Sequence, residues 1–166
     1  TEGLSFYHSA SADGIQITAA NTLALHSSAT FTEGTYAATV NTAGKNAAGI
    51  VFGADATGKN YHLLRITSNQ LVELVKVENG VETILDRGYL SAGHIYTNDN
   101  RLKIVKNGNT VYCYYYNRFD KINCYAVNEV SLAGERIGLW AKSAGTAFRD
   151  VTITEQTENR TADTLI

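Results

Sequence analysis

The sequence predicts an all-β domain, built as a two-sheet antiparallel β-sandwich. Short runs rich in Val, Ile, Leu, Thr and Tyr recur along the chain, and Gly, Asn and Asp cluster between them. No long segment carries apolar residues at a helical period. The 166 residues are 44% hydrophobic, which is enough for one sizeable core.

Candidate strands cover most of residues 1–154, which we expect to form one domain, with 155–166 as a polar tail or linker. The small apolar run 48–52 is typical of a strand buried on both faces, and Asn79-Gly80 favours a tight hairpin. Residues 86–100 read mostly as connection. Residues 21–28 read as strand or irregular structure, and 31–40 as a longer strand broken near Glu33-Gly34. Further strands are expected over 3–8, 15–18, 48–52, 61–67, 71–77, 81–85, 101–106, 111–116, 122–127, 137–142 and 147–154.

The clearest single element is a hairpin over residues 107–127, where two aromatic and β-branched runs flank a polar connection. If residues 117–120 form the connection, Cys113 lies opposite Cys124. Side chains alternate along a strand, so each strand then presents one core face and one outer face. The predicted core face carries Val111, Cys113, Tyr115, Ile122, Cys124 and Ala126, and the predicted outer face carries Tyr112, Tyr114, Tyr116, Asn123 and Tyr125.

The outer tyrosines have two interpretations. Cross-strand aromatic pairs stabilise an ordinary sheet surface, and phenol rings also form a platform for a flat, hydroxyl-rich ligand such as a sugar. The two cysteines also have two interpretations: they form a cross-strand disulfide, or they are two buried thiols.

Several function classes are disfavoured. The net charge is −2 and the basic residues are scattered, so no nucleic-acid-binding stripe is expected. No apolar run approaches the length of a membrane-spanning helix, and we expect no membrane insertion. No closely spaced pair of acids suits a glycosidase, and no Gly-x-Ser-x-Gly elbow is present. His62 reads as a core histidine, and the chain is predicted not to be an enzyme.

No cofactor is expected, and the metal question reduces to one residue. The sequence lacks clustered His and Cys motifs for zinc. Asp55, in the polar loop 53–60, could ligate a structural calcium together with loop carbonyls, or could simply stabilise a turn.

The order of several segments resembles a known fold family. These segments are Ala48-Gly49-Ile50-Val51-Phe52, Asn60 to Ile66, Leu74 to Gly80, Arg101 to Ile104, Arg136 to Ala141 and Ala147 to Val151. Together they resemble a concanavalin A-like (laminin-G-like) jelly-roll sandwich, and more narrowly the family 66 carbohydrate-binding modules of bacterial fructan-degrading enzymes.

The resemblance implies non-catalytic sugar binding, with a terminal fructose of levan or another fructan as ligand. It also implies a monomeric module, secreted or held at the cell surface as part of a larger multidomain enzyme. Asp55 and Asn60 match the family loop. The chain departs from the family at Gly53, where those modules carry Arg, and at Lys142-Ser143, where they carry Trp-Asp.

The candidate ligand-binding residues combine rings that stack on sugars with polar groups that read hydroxyls. Trp140 alternates with Leu139 and Ala141 and is expected to point away from the core. A protein-binding, adhesive laminin-G-like domain is the alternative function, since exposed tyrosines serve it equally well. The candidate ligand-binding residues for a glycan are Arg65, Glu73, Tyr112, Tyr114, Tyr125, Trp140, Lys142, Asp55 and Asn60.

Overall fold

The computed structural model describes residues 14–42, 47–68, 71–89, 99–117 and 122–155. These residues form strands and connections and contain no helix, so no membrane-spanning helix occurs among them. The predicted strand 3–8 and residues 156–166 of the predicted tail lie outside the described residues, whereas Glu155 ends strand β12. The twelve strands are β1 (Ile15–Gln16), β2 (Thr22–Thr30), β3 (Gly34–Asn41), β4 (Ala48–Ala54), β5 (Tyr61–Ile66), β6 (Leu71–Glu78), β7 (Val81–Tyr89), β8 (Asn100–Asn107), β9 (Thr110–Tyr116), β10 (Asn123–Val127), β11 (Arg136–Ala141) and β12 (Ala147–Glu155).

The strands pair into two antiparallel sheets of six. Sheet A has the order β1-β12-β3-β8-β9-β10, and sheet B has the order β2-β11-β4-β5-β6-β7. The predicted all-β, two-sheet antiparallel sandwich is therefore confirmed. Strand β4 is buried along its whole length, as its small apolar sequence predicts.

The main core lies between the sheets, where alternate residues of both point inward. The largest fully buried side chains include Tyr36, Phe31, Phe52 and Phe148. The Tyr36 hydroxyl donates a 2.6 Å hydrogen bond to the carbonyl oxygen of Gly138, which joins sheet A to sheet B. Burial raises the pKa of this phenol well above its usual range, so it remains a donor.

The predicted pairing of the β9–β10 hairpin was wrong by one residue. In the structure Cys124 lies opposite Tyr114, and Tyr125 lies opposite Cys113. Side chains alternate strictly, so this slip turns every side chain of β10 to the other face. Tyr125 therefore packs against the core instead of joining the outer tyrosines, while Cys124 and Ala126 point outward.

The cysteine interpretations also fail with this register. Both thiols are free, Cys113 is buried and Cys124 is exposed. Neither a cross-strand disulfide nor a pair of buried thiols describes them. Burial raises the pKa of the Cys113 thiol, so it is held as a neutral, small apolar group.

Strand β7 continues beyond the predicted end at residue 85, through Asp86 to Tyr89. The sequence did not indicate this extension because its residues are charged, which is unusual in a central strand. An edge strand such as β7 tolerates these charges. The extension places Arg87 opposite Glu73 of β6.

Candidate functional site

A row of side chains crosses the outer face of sheet B, which we call the Arg65 face. The strand register aligns Leu23, Trp140, Gly49, Arg65, Glu73 and Arg87 from β2 to β7. Residues opposite one another on neighbouring strands lie close enough for direct contact. Sequence elements far apart in the chain thus meet in one row.

Gly49 makes the central contact of this row possible. A Cβ atom at position 49 would lie 2.6 Å from the Cα of Arg65 and 2.8 Å from its Cβ. Because glycine leaves this space open, the Arg65 guanidinium reaches across β4 to the indole of Trp140. Its central carbon lies 5.4 Å from the ring centroid, which is a cation–π contact.

Two carboxylates fix the other side of the guanidinium. Arg65 Nε donates to Glu73 Oε1 at 3.0 Å, and Nη1 and Nη2 donate to the two oxygens of Glu82, each at 3.1 Å. Glu73 Oε2 also contacts Arg87 Nη2 at 3.2 Å. The forked pair with Glu82 is the geometry in which arginine binds carboxylate with most directional control.

The network is half removed from water. The side chains of Arg65 and Glu73 are 12% and 6% exposed, whereas Glu82 and Arg87 are each 45% exposed. Burial alone would favour the neutral form of Arg65, but the pairs with Glu82 and Glu73 outweigh it, and its pKa is raised. The cation is therefore permanent and held in one orientation.

An apolar cluster lies beside this network on the same outer face of sheet B. It contains Leu25, Val51, Ala54, Leu63, Val75 and Val77, with Leu23, Tyr61 and Trp140 packed against it. Tyr61 lies within the field of Glu82, and burial together with that carboxylate raises the pKa of its phenol. Aromatic edges, a fixed cation and carboxylates thus converge on one surface.

Asp55 and Asn60 lie in the β4–β5 turn and bind each other. Asp55 Oδ1 accepts hydrogen bonds from the Thr57 amide and hydroxyl and from the Gly58 amide, and Oδ2 accepts one from Asn60 Nδ2 at 2.6 Å. The hydrogen bonds to Thr57 and Asn60 lower the pKa of Asp55 to about 2. Asn60 Oδ1 accepts from the Asn79 amide, so the residues tie two turns together.

This arrangement gives the calcium expectation no support, because four donors already occupy the Asp55 carboxylate. Among the described residues, no group of three or more His, Cys, Asp or Glu side chains is placed to hold a metal. Asp55 therefore fits a turn-stabilising role.

Two further positions bear on the expected ligand. Lys142 directly follows β11 and is exposed, two residues beyond Trp140. Gly53 has a φ of +63°, and a Cβ there would lie 2.6 Å from Leu132 Cδ2. Any residue other than glycine at position 53 would therefore strain the backbone and place its Cβ against Leu132, so no side chain from this position is available to contact a ligand.

Tyr112 and Tyr114 do not join this site, which corrects the hypothesis of a single platform. Along with Tyr116 they project from β9 on the outer face of sheet A, which we call the tyrosine face. Tyr125 belongs to neither surface, since its hydroxyl donates to the Val72 carbonyl oxygen at 3.1 Å, between the sheets. The predicted set therefore divides into a polar cluster on sheet B and a phenolic row on sheet A.

A hollow of about 200 Å³ opens at the sandwich rim, near Tyr61 and Ser131. His62 also lines it and is 3% exposed, with its ring stacked 5.6 Å from Phe52. The core-histidine prediction is confirmed. Burial, followed by the Lys76 charge, lowers the pKa of His62 to about 4, so the imidazole is neutral. Arg65, Glu73 and Trp140 do not line this hollow.

Sequence reasoning missed Tyr61, Glu82 and Arg87. Glu82 follows a turn, where a charged residue is ordinary, and Arg87 lay in the presumed connection. Alternation from Glu82 to Ile84 would have continued to Asp86, and a register irregularity between Ile84 and Asp86 brings Arg87 to this face instead. Only the register of β6 with β7 shows that both charges face Arg65 or Glu73.

The fold is the concanavalin A-like β-sandwich. No protein-family model matches the sequence, and no curated protein matches it. Solved structures do match, and one of them is the carbohydrate-binding module CBM66 from Bacillus subtilis. The TM-score is 0.70 at 19% identity, over 92% of this chain and 97% of that one.

Other matches share the sandwich with lower scores. A galectin from Caenorhabditis elegans matches with a TM-score of 0.54 at 11% identity, over 84% of this chain and 96% of that one. A xylan β-1,4-xylosidase from Bacillus halodurans matches with a TM-score of 0.59 at 12% identity, over 82% of this chain but 30% of that one. At these identities the likenesses establish the fold.

Proposed function

We propose that the chain is a non-catalytic carbohydrate-binding module whose glycan site is the Arg65 face. The observation that carries this proposal is the guanidinium of Arg65, fixed between an indole ring and two carboxylates on a half-buried surface. Preorganised polar groups beside aromatic surface suit a ligand with hydroxyls on an apolar ring. The likeness to a carbohydrate-binding module and a galectin supports the same class.

The mechanism follows from the donor and acceptor inventory. Arg65 has five N–H groups, and three of them are used by Glu73 and Glu82, so two have no partner among the described residues. These can donate to sugar oxygens, while Glu82 accepts from sugar hydroxyls. Trp140 and Tyr61 supply the apolar contact for the sugar ring. Little side-chain entropy is lost on binding, because the ion pairs already fix the orientation.

The same ion pairs argue against hydrolysis at this place. A glycosidase of the usual kind needs one carboxyl as acid and one as nucleophile or base. Here Glu73 and Glu82 both bind Arg65, and Glu73 also binds Arg87. Both carboxylates are therefore bound to guanidinium groups, and neither is left unpaired for a role in hydrolysis.

The finer parts of the proposal concern ligand and setting. A terminal fructose of levan or another fructan is the first glycan to test, and attachment to a larger secreted enzyme is the proposed setting. The chain offers no side chain at Gly53 and has Lys142-Ser143 after β11, and these are the positions at which the sequence departs from the family that it resembles. A fructan would therefore have to be held chiefly by Arg65, Glu82 and the neighbouring rings.

The test is a calorimetric titration against levan, inulin and a panel of plant and host glycans. We expect binding to at least one of them, and a loss of about tenfold in affinity for Glu82→Gln, which removes a charged acceptor and loosens Arg65. Glu78→Gln is the matched control, since Glu78 pairs with Lys76 and not with Arg65. Absence of binding across the panel would overturn the proposal, as would equal losses in both variants.

One observation favours the alternative, a protein-binding domain. Edge strand β7 exposes Val81 at 67%, Ile84 at 40% and Tyr89 at 70%. Exposed apolar residues on an edge are a known route to protein contact. Capture of a protein that Ile84→Lys abolishes and Glu82→Gln leaves intact, in a chain that binds no glycan, would favour this alternative.

A further inference from the structure

The tyrosine face has a regular geometry that the proposed glycan site does not use. Tyr112, Tyr114 and Tyr116 occur at every second position of β9 and are all half-exposed. At a rise of about 3.3 Å per residue, the row spans about 13 Å. Such a row presents several ring surfaces to one extended polymer, which is a different shape from the compact Arg65 cluster.

Two cations stand beside this row on β8. The register places Lys103 opposite Tyr114 and Arg101 opposite Tyr116. The Nζ of Lys103 lies 4.6 Å from the centroid of the Tyr114 ring, a cation–π contact. Tyr114 therefore has a cation against its ring, Tyr116 has Arg101 as its neighbour in the register, and Tyr112 lies opposite Val105.

Neutral groups hold Arg101 in place. Its Nη1 donates to Thr39 Oγ1 at 3.1 Å and to the Asp150 carbonyl oxygen at 2.7 Å, and its Nη2 donates to Thr152 Oγ1 at 3.3 Å. These bonds orient the guanidinium without cancelling its charge. Among the described residues, no carboxylate forms an ion pair with Lys103.

The strands around the row carry no acid. Strands β8, β9 and β10 contain Arg101, Lys103 and Lys106 and no Asp or Glu. Lys106 is buried, and its Nζ donates to the Gly108 carbonyl oxygen. At the end of the face, Asp99 and Asp150 pair with Arg149. Within the part of the chain that the structure describes, Lys103 and Arg101 on the tyrosine face therefore have no paired carboxylate, although the whole chain has a net charge of −2.

We propose that the tyrosine face is a second binding site, for an acidic polysaccharide whose sugars carry carboxylates. Sugar rings stack on the β9 tyrosines, and the carboxylates lie against Lys103 and Arg101. Neither cation forms an ion pair with a described carboxylate, and a neutral polymer would supply none, so charge complementarity favours an acidic polymer. This site stands apart from the Arg65 face, and it neither requires nor replaces the binding proposed there.

The first experiment compares polygalacturonate with its methyl ester, which keeps the sugar ring and removes the charge. We expect the unmodified chain to bind the acidic polymer at least about fivefold more tightly than the ester. The preference should vanish between about 0.1 M and 1 M NaCl, as the screening length falls from about 10 Å to about 3 Å. Equal affinity for the two polymers at low salt would overturn the proposal.

The second experiment locates the site with matched variants. Lys103→Gln should remove the preference for the acidic polymer, whereas Lys76→Gln on sheet B should keep it, because Lys76 is paired with Glu78. Tyr114→Ala should weaken binding of both polymers, with a thermal melt confirming the fold. Equal losses in the two lysine variants would overturn the assignment.

Glu82→Gln separates this proposal from the Arg65 site. It should leave the binding of polygalacturonate unchanged even if it removes the binding of every neutral glycan. If it instead abolished binding of the acidic polymer while Lys103→Gln did not, the ligand would lie on the Arg65 face and the second site would be refuted.

Discussion

The two outer faces of the sandwich use the same residue types in opposite ways. On the Arg65 face, Arg65 and Arg87 are compensated by Glu73 and Glu82, and the cluster is partly withdrawn from water. On the tyrosine face, Lys103 lies against a ring and no described carboxylate pairs with it. The difference teaches that a cation beside an aromatic ring is not by itself evidence of a binding site. Its neighbours determine whether it is paired with carboxylates of the protein or can pair with a ligand.

The largest effect should come from breaking the compensated cluster. Glu73→Ala leaves Arg65 and Arg87 without a shared partner on a half-buried surface, and we expect the free energy of unfolding to fall by about 4 kcal/mol. Urea denaturation measures it.

The control for this prediction is Glu78→Ala, whose exposed pair with Lys76 should contribute at most about 1 kcal/mol. If the two variants proved equally stable, the Arg65 face would be an ordinary solvated surface, and the contrast between the faces would disappear.

The next effect concerns His62, a buried polar group that neither face compensates. Its Nδ1 has no hydrogen-bond partner among the residues that the structure describes, and burial lowers its pKa from 6.5 to about 4. The unfolded chain therefore takes up the proton at a higher pH than the folded chain does. As the pH is lowered from about 6.5 to about 4, the free energy of unfolding should decrease by about 3 kcal/mol in total.

Unfolding curves of the unmodified chain and of His62→Gln across this pH range measure that loss. The variant should lack this part of the acid sensitivity. Parallel curves for the two chains would show that His62 does not titrate in the way its burial requires.

A smaller effect separates inward from outward tyrosines. Tyr125→Phe removes the hydrogen bond to the Val72 carbonyl oxygen and should cost about 1 kcal/mol of stability. Tyr112→Phe, on the tyrosine face, should change stability by less than about 0.5 kcal/mol. The reverse order in thermal melts would restore the pairing first predicted from the sequence.

The smallest effect is a difference in reactivity, with no change in stability. Cys124 is exposed on the outer side of sheet A, whereas Cys113 is buried and its thiol pKa is raised. A thiol reagent should label one cysteine in the native chain and both after unfolding. Two equally reactive native thiols would contradict the register that defines the tyrosine face.

Much of the fold was predictable because strands can be recognised from local alternation and turn residues. Alternation placed Arg65 and Trp140 on an outer surface and His62 in the core, and the Asn79-Gly80 turn was read correctly. The exact length of the connection predicted at residues 117–120 could not be determined from the sequence, and a difference of one residue turns β10 over. Hairpin register depends on the turn geometry, and the polar connection admits more than one.

The site was only partly predictable, for a different reason. Arg65, Glu73 and Trp140 were identified, but Tyr112 and Tyr114 were placed beside them, since a sequence does not say which sheet a strand enters. Strand β9 pairs with β8, in sheet A, and β5 pairs with β6, in sheet B. That assignment depends on contacts between segments distant in the chain.

The most direct measurement is a map of where a glycan binds, by backbone amide chemical-shift changes of the isotopically labelled chain on titration with the tightest-binding neutral sugar of the panel. The account predicts that the shifts concentrate on β5, β6, β7 and β11 around Arg65, and that β8 and β9 stay unchanged. Shifts centred on β9 and its tyrosines, with β5 and β6 silent, would contradict it.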